Sequence, residues 1–164
     1  AALNHFRLKD FRRAREEFET TLQIDPKFAL AAYYLGLTQI QTGDMDGASL
    51  SFSRTLELDP TNFTAAFNLG AAYLKRNRVE DALRLFQRAV EINPDYAPGH
   101  EALGELYLYL KRPEDAARSL ERAVELRPES IKAHQNLGRA YQALGRSADA
   151  QRELEQAKRL SSDK

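Results

Sequence analysis

The amino-acid sequence predicts an all-α fold of paired antiparallel helices, chiefly because the same residues recur every 34 positions. Four prolines, four Leu–Gly pairs and five alanines follow this interval. The prolines are Pro26, Pro60, Pro94 and Pro128, the glycines are Gly36, Gly70, Gly104 and Gly138, and the alanines are Ala14, Ala48, Ala82, Ala116 and Ala150. Such self-similarity is the signature of a repeat architecture, in which each helix pair buries its apolar face against the next pair.

The first helix of each repeat is predicted from apolar residues at helical spacing. In residues 63–96, Leu69 and Tyr73 lie four positions apart and so share one face of a helix. Gly70 lies between them, in the middle of the helix, where glycine costs about 1 kcal/mol relative to alanine. A glycine repeated at this cost indicates close helix approach, and we expect its contact to lie beside Ala82 of the second helix.

The break between the two helices and the end of the second helix also have recognisable residues. Asn77 marks the break in residues 63–96, and Gly43 and Gly145 occupy the matching positions elsewhere. Asparagine and glycine tolerate the left-handed conformation that ends helices. Pro94 stops the second helix because proline lacks the backbone donor and restricts the residue before it.

This pattern resembles the tetratricopeptide repeat (TPR), which has Leu-Gly, Tyr, Ala, Phe and Pro in this order over 34 residues. In this chain the matching residues are Leu69-Gly70, Tyr73, Ala82, Phe86 and Pro94. The resemblance places repeats at 29–62, 63–96, 97–130 and 131–164, after a partial repeat at 1–28. It implies a single array over residues 1–164, folded as a right-handed superhelical solenoid of antiparallel helix pairs.

Some residues depart from the family pattern without breaking the period. The family's tryptophan is replaced by Ala32, Ala66, His100 and His134, its tyrosine by Gln39, and its phenylalanine by Leu120 and Leu154. This variation is typical of a natural sequence rather than of a designed consensus protein.

Composition argues against several classes of function. The 24 Lys and Arg balance the 24 Asp and Glu, which argues against binding nucleic acid or an anionic membrane surface. No cysteine is present, so disulfides and thiolate metal sites are excluded. The apolar runs are short, which predicts no transmembrane helix, and residues 1–10 lack the unbroken apolar stretch of a signal peptide. The compartment stays open.

No motif for catalysis or cofactor binding is found, and we expect the chain not to be an enzyme. His100 and His134 share one repeat column, so a metal pair is conceivable, but a residue that packs between repeats is the stronger interpretation. Glu101 and Glu105 lie one helical turn apart and are interpreted as a solvated acidic face rather than an acid–base pair.

The resemblance implies that the first helices line a concave groove that binds ligands. Its amino half is predicted to be apolar and aromatic, and its carboxyl half polar and charged. The candidate groove residues are Leu30, Tyr33, Tyr34, Leu37, Ile40, Phe67, Asn68, Ala71, Leu74, Glu101, Glu105, Tyr109 and Arg139. The clamp with which one TPR subfamily holds a C-terminal carboxylate is rejected, because Tyr33 and Leu37 stand where Lys and Asn are needed.

The leading functional hypothesis is a scaffold that binds an apolar peptide or an amphipathic helix of another protein in this groove. The aromatic residues Tyr33, Tyr34 and Phe67 are expected to face solvent, so replacing Tyr33 and Phe67 by Ala should remove binding and leave stability nearly unchanged. Two alternatives stay open, a self-assembling architectural module and an accessory lobe of an enzyme whose catalytic domain lies outside this chain.

The two ends of the chain lead to separate expectations. Gln151 and Lys158 replace residues that are apolar in earlier repeats, and a terminal repeat needs a polar outer face, so we expect the array to end near Leu160. The amino end opens in mid-helix, at the column of Leu35, so we expect further residues upstream.

Overall fold

The computed structural model describes residues 1–162 and is helical throughout this range. Ten α helices occur there and no strand. Their bounds are α1 Ala2–Arg7, α2 Phe11–Ile24, α3 Ala29–Gln41, α4 Met45–Leu58, α5 Phe63–Lys75, α6 Val79–Ile92, α7 Ala97–Tyr109, α8 Pro113–Leu126, α9 Ile131–Ala143 and α10 Ser147–Ser162. The all-α prediction is confirmed. The last two positions of the final predicted repeat, 163–164, lie outside the described residues.

The chain forms two compact units, Ala1–Ile92 and a second that begins at Asn93. The amino-terminal unit contains α1 to α6, and the carboxyl-terminal unit contains α7 to α10. Consecutive helices pack as pairs, so we call odd-numbered helices first helices and even-numbered helices second helices. Short turns between them make each pair antiparallel. The single array expected over residues 1–164 stays a prediction.

Polar side chains fix where several helices begin. Asp44 Oδ1 accepts the backbone N–H of Gly47 at 2.9 Å before α4, and Asn62 Oδ1 accepts that of Ala65 at 2.9 Å before α5. Ser130 Oγ does the same for Ala133 before α9, at 3.2 Å. Each oxygen satisfies an amide that has no partner within the first turn of its helix.

The turn inside every helix pair contains one residue in the left-handed conformation. The predicted break residues Gly43, Asn77 and Gly145 have φ angles of 81°, 58° and 72°, which confirms their role. The same column contains Lys9 and Lys111, with φ angles of 60° and 58°. Lysine is disfavoured there because its Cβ crowds the following carbonyl, so the fold of the pair imposes this geometry against local preference.

The repeated glycines make room for a large side chain of the second helix. A Cβ built on Gly70 would lie 2.9 Å from Phe86 Cδ1, and one on Gly36 would lie 2.7 Å from Phe52 Cε1. Close approach is therefore confirmed, but its partner differs from the expectation. Gly70 faces the Phe86 ring and the Cβ of Leu85, not Ala82, because the larger side chains extend into the space that the glycine leaves.

Candidate protein-interaction surface

All thirteen predicted groove residues lie on first helices. The nine residues from Leu30 to Leu74 lie on α3 and α5 of the amino-terminal unit. Glu101, Glu105 and Tyr109 lie on α7, and Arg139 lies on α9, in the carboxyl-terminal unit. The face that these helices carry is called the first-helix surface, and each unit has its own.

The aromatic side chains of the amino-terminal unit also hold its helices together. The Tyr33 ring centroid lies 5.9 Å from that of Phe52, and the Phe67 centroid lies 5.3 Å from that of Phe86. Tyr34 stacks on Phe18 at 5.8 Å. All three rings are half-buried. The expectation that these rings face solvent is therefore only partly correct, because each ring packs on a phenylalanine of a second helix and is half-buried.

Leucines form the more exposed part of the same surface. Leu30 retains 46% of its accessible area and Leu74 retains 39%. Next to Leu30, an open cleft of about 420 Å³ is lined mainly by apolar side chains, including Phe18, Phe28 and Tyr34. The first-helix surface of this unit thus combines exposed aliphatic side chains with the edges of packed rings.

The two glutamates of α7 are bonded to side chains of the loop after α8 and of α9. The Glu101 side chain is only 12% exposed, and its Oε1 accepts hydrogen bonds from Arg127 Nη2 at 3.1 Å and Ser130 Oγ at 2.7 Å. Glu105 Oε1 lies 2.6 Å from Lys132 Nζ. The interpretation as a solvated acidic face is therefore wrong, because each carboxylate is neutralised by a cation of the following loop or helix.

The buried side-chain amide of Asn136 links Glu105 to Arg139 through two hydrogen bonds. Asn136 Nδ2 donates to Glu105 Oε1 at 3.2 Å, and Arg139 Nη1 donates to Asn136 Oδ1 at 3.3 Å. Arg139 itself is exposed. Tyr109, one turn after Glu105 on α7, retains 66% of its accessible area. The first-helix surface of the carboxyl-terminal unit is accordingly polar, with one exposed ring and one exposed guanidinium.

The two histidines of the repeat column bind loop carbonyls. His100 Nε2 lies 2.9 Å from the carbonyl oxygen of Pro94, and His134 Nε2 lies 2.9 Å from that of Pro128. A carbonyl oxygen only accepts, so each Nε2 carries the hydrogen. His134 Nδ1 additionally lies 2.6 Å from Glu153 Oε2. These contacts give both histidines a structural role.

In the amino-terminal unit alanine occupies the column of these histidines, and arginines donate hydrogen bonds to the proline carbonyls instead. Arg54 Nη2 donates to the Pro26 carbonyl oxygen at 2.7 Å, and Arg88 Nη2 donates to that of Pro60 at 2.9 Å. Sequence reasoning missed this exchange of donors. The available signal was that histidine replaces Ala32 and Ala66 only in the later repeats.

A second recurrent contact locks three of the inter-helix turns. Arg146 lies 4.1 Å from the ring centroid of Tyr141, and its Nε donates to Asp149 Oδ2 at 2.8 Å. This hydrogen bond and a second one from Arg152 hold the pKa of the Asp149 carboxyl below its ordinary value. The same Tyr–Arg–Asp set occurs at Tyr73–Arg78–Asp81 and Tyr107–Arg112–Asp115. It was not recognised in the sequence, although its spacing of five and three residues is constant.

Among residues 1–162, no group of three or more His, Asp or Glu side chains is arranged to hold a metal ion. No helix in this part of the chain is long and apolar enough to cross a bilayer.

Structural comparison gives close matches to other helical-repeat proteins. A crystal structure of MamA is 25% identical and superimposes with a TM-score of 0.90, covering 99% of this chain and 95% of that one. MamA from Desulfovibrio magneticus RS-1 is 24% identical, with a TM-score of 0.87 and coverages of 99% and 92%. YrrB, described as a TPR protein with an unusual peptide-binding site, is 22% identical, with a TM-score of 0.84 and coverages of 99% and 84%.

Sequence comparison identifies the family directly. No curated protein sequence gives a significant match. Three models described as tetratricopeptide repeat match residues 1–63, 61–129 and 107–163, and together they span nearly the whole chain. The chain therefore belongs to the tetratricopeptide-repeat family and is built as a protein-interaction scaffold.

Proposed function

We propose that the chain binds an apolar segment of another protein on the first-helix surface of its amino-terminal unit. The segment is an amphipathic helix or an extended peptide. The observation that carries this proposal is the exposure of Leu30 and Leu74 on the same helices as the half-buried rings of Tyr33 and Phe67. Exposed aliphatic side chains beside aromatic edges are typical of protein-binding sites.

The half-buried rings suit this role because they are already held in place. Tyr33 packs on Phe52 and Phe67 packs on Phe86, so little side-chain entropy is lost when a ligand covers the remaining accessible area of these half-buried rings. The leucines on α3 and α5 contribute area that a partner can bury. An amphipathic helix presents apolar residues at three- and four-residue spacing, which matches such a surface.

The carboxyl-terminal unit supports the assignment by contrast. Its first-helix surface carries Glu101, Glu105 and Lys132, which are paired with other side chains of the same unit. An apolar segment gains little by covering paired charges, because desolvating them costs free energy. This contrast supports the proposal that an apolar segment is buried on the amino-terminal unit. YrrB shows that the shared fold accommodates a peptide-binding site.

The test replaces exposed leucines, which leaves the packed rings untouched. Leu30→Gln combined with Leu74→Gln removes the aliphatic area on the first helices. Leu50→Gln is the matched control, because Leu50 lies on the second helix α4 and is 74% exposed. Affinity purification with quantitative mass spectrometry should show partners that are lost with the double variant and kept with Leu50→Gln. Equal loss or equal retention in both would contradict the proposal.

Self-association is the competing outcome. Light scattering over a range of concentrations separates it from partner binding. A constant monomer mass agrees with the proposal. A mass that grows with concentration, and that returns to the monomer in the Leu30→Gln, Leu74→Gln variant, would assign the same surface to assembly of identical chains.

A further inference from the structure

The charges on the first-helix surface of the carboxyl-terminal unit do not cancel completely. Glu101 is paired with Arg127, and Glu105 with Lys132. Arg139 occupies the repeat column of Glu105, one repeat later, yet within the described part of the chain it forms no ion pair. One positive charge is therefore left over on this face, and it belongs to an exposed side chain.

Arg139 is also oriented rather than freely mobile. Its Nη1 donates to Asn136 Oδ1 at 3.3 Å, and the Asn136 side chain is held in turn by Glu105. Asn136 is only 6% exposed, so the amide is a fixed support. A guanidinium has five N–H donors, and the described contacts use one of them. The remaining donors are free to bind an acceptor from outside.

We infer that Arg139 binds an acidic side chain, Asp or Glu, of a protein segment docked on the carboxyl-terminal unit. This inference rests on the proposed function, since it assigns a charge to a protein ligand of the same scaffold. A carboxylate is the acceptor that matches the planar fork of arginine, because two parallel N–H···O bonds form at once. A cation in the segment would meet an unbalanced positive charge and is disfavoured.

Tyr109 is the exposed aromatic residue of the same first-helix surface. It follows Glu105 by one turn on α7 and presents most of its ring to solvent. The expected ligand chemistry at this unit is thus an acidic residue next to an aromatic or aliphatic one. Arg139 determines specificity here, whereas the leucines of the amino-terminal unit supply apolar area.

The first experiment is a selection from random peptides of about twelve residues displayed on phage, with each peptide fused to the coat protein through its carboxyl end. This fusion removes the free C-terminal carboxylate, so only side chains supply the acid. The selection is run against the wild-type chain, Arg139→Gln and Arg118→Gln. Arg118 is the matched control, because it lies in the same unit but on the second helix α8 and is paired with Asp115.

Wild-type and Arg118→Gln proteins should enrich peptides with Asp or Glu at one fixed position, and Arg139→Gln should not. Selected peptides that lack such a position, or that show it equally with Arg139→Gln, would overturn the inference while leaving the proposed function intact. Failure of the wild-type protein to select any peptide would contradict both the inference and the proposed function. Circular dichroism establishes that all three proteins are folded to the same extent.

A second measurement tests the pair directly by fluorescence anisotropy with one selected, C-terminally amidated peptide. Changing its acidic residue to Gln or Asn should weaken binding to the wild-type protein by about three- to tenfold, as expected for a solvent-accessible charged pair with two hydrogen bonds. The same change should have no effect on binding to Arg139→Gln. Equal weakening with both proteins would show that a residue other than Arg139 binds the acidic side chain of the peptide.

Discussion

Tyr141 donates its hydroxyl hydrogen to Glu121 Oε1 at 2.7 Å and so joins α9 to α8. The Tyr141 side chain is buried, and Arg146 covers one face of its ring. Burial raises the pKa of Tyr141 from its ordinary value to about 12, and the hydrogen bond to Glu121 adds to the rise. The phenol is therefore held in its protonated form by the fold.

This relationship predicts a loss of stability in alkaline solution. Unfolded tyrosine releases its proton near pH 10, whereas Tyr141 in the folded chain keeps it until about pH 12. The unfolded state thus binds fewer protons in this window, and the free energy of unfolding falls as pH rises through it, by roughly 2–3 kcal/mol. Urea unfolding of wild type and Tyr141→Phe at several pH values measures the effect. The decline should be shallower for Tyr141→Phe, and parallel curves would contradict it.

The glycine that faces Phe86 should be far less tolerant than the glycine in a turn. Gly70→Leu must displace the Phe86 ring, so its cost should lie at the upper end of the usual range for overpacking, about 3 kcal/mol. Gly43 has open space around it but a φ of 81°, so Gly43→Ala should cost about 1 kcal/mol. Gly43→Asn is the control, because Asn77 occupies the same column, and it should be nearly neutral. Chemical denaturation ranks the three variants, and equal losses for Gly70→Leu and Gly43→Ala would refute the packing role.

Lys111 offers a stabilising substitution. Its φ of 58° is unfavourable for a residue with a Cβ, so Lys111→Gly should stabilise the chain by about 0.5–1 kcal/mol after the extra backbone entropy of glycine is subtracted. Lys158→Gly, in the exposed part of α10, should instead destabilise by about 1 kcal/mol. Both variants introduce glycine and remove one positive charge. Thermal unfolding should therefore shift their melting temperatures in opposite directions, and a shift of both in the same direction would show that the backbone conformation at Lys111 does not cause the effect.

The two histidines should contribute unequally to stability. His134→Ala leaves both the Pro128 carbonyl and Glu153 without their partner in a buried setting, which should cost about 1–3 kcal/mol. His100→Ala removes one hydrogen bond in an exposed setting and should cost less than about 1 kcal/mol. Urea unfolding of the two variants gives the comparison. Similar losses would show that the carbonyl contact alone determines the effect.

The period in the sequence was sufficient to predict the helices, because most of the repeated columns have a local cause. Proline ends a helix, and Asn or Gly favours the left-handed turn, whereas Lys9 and Lys111 adopt that turn only because the fold of the helix pair requires it. The glycine column was also recognised as a close contact, although its partner was misassigned. Spacing places a residue on a face but does not tell which side chain of the partner helix reaches furthest, and Phe86 reaches past Ala82.

The site was harder to predict, because its contacts join distant parts of the chain. Tyr33 and Phe67 were correctly placed on first helices, but the direction of their rings depends on Phe52 and Phe86. Glu101 is neutralised by a residue 26 positions later, which no helical spacing indicates. The apolar amino half and the polar carboxyl half could be foreseen from composition, whereas the surplus charge of Arg139 emerged only once the pairs were known.

The donors to the proline carbonyls have a consequence for how such a chain can change its length during evolution. Arg54, Arg88, His100 and His134 each lie in the repeat after the proline that they contact. The accepting carbonyl therefore lies near the end of one repeat, and the donor side chain lies in the next repeat. If recombination joined residue 62 directly to residue 97, His100 would follow Pro60 at the spacing by which it now follows Pro94. Gene duplication or deletion in units of 34 residues can thus preserve this bond at every new junction, without compensating mutations.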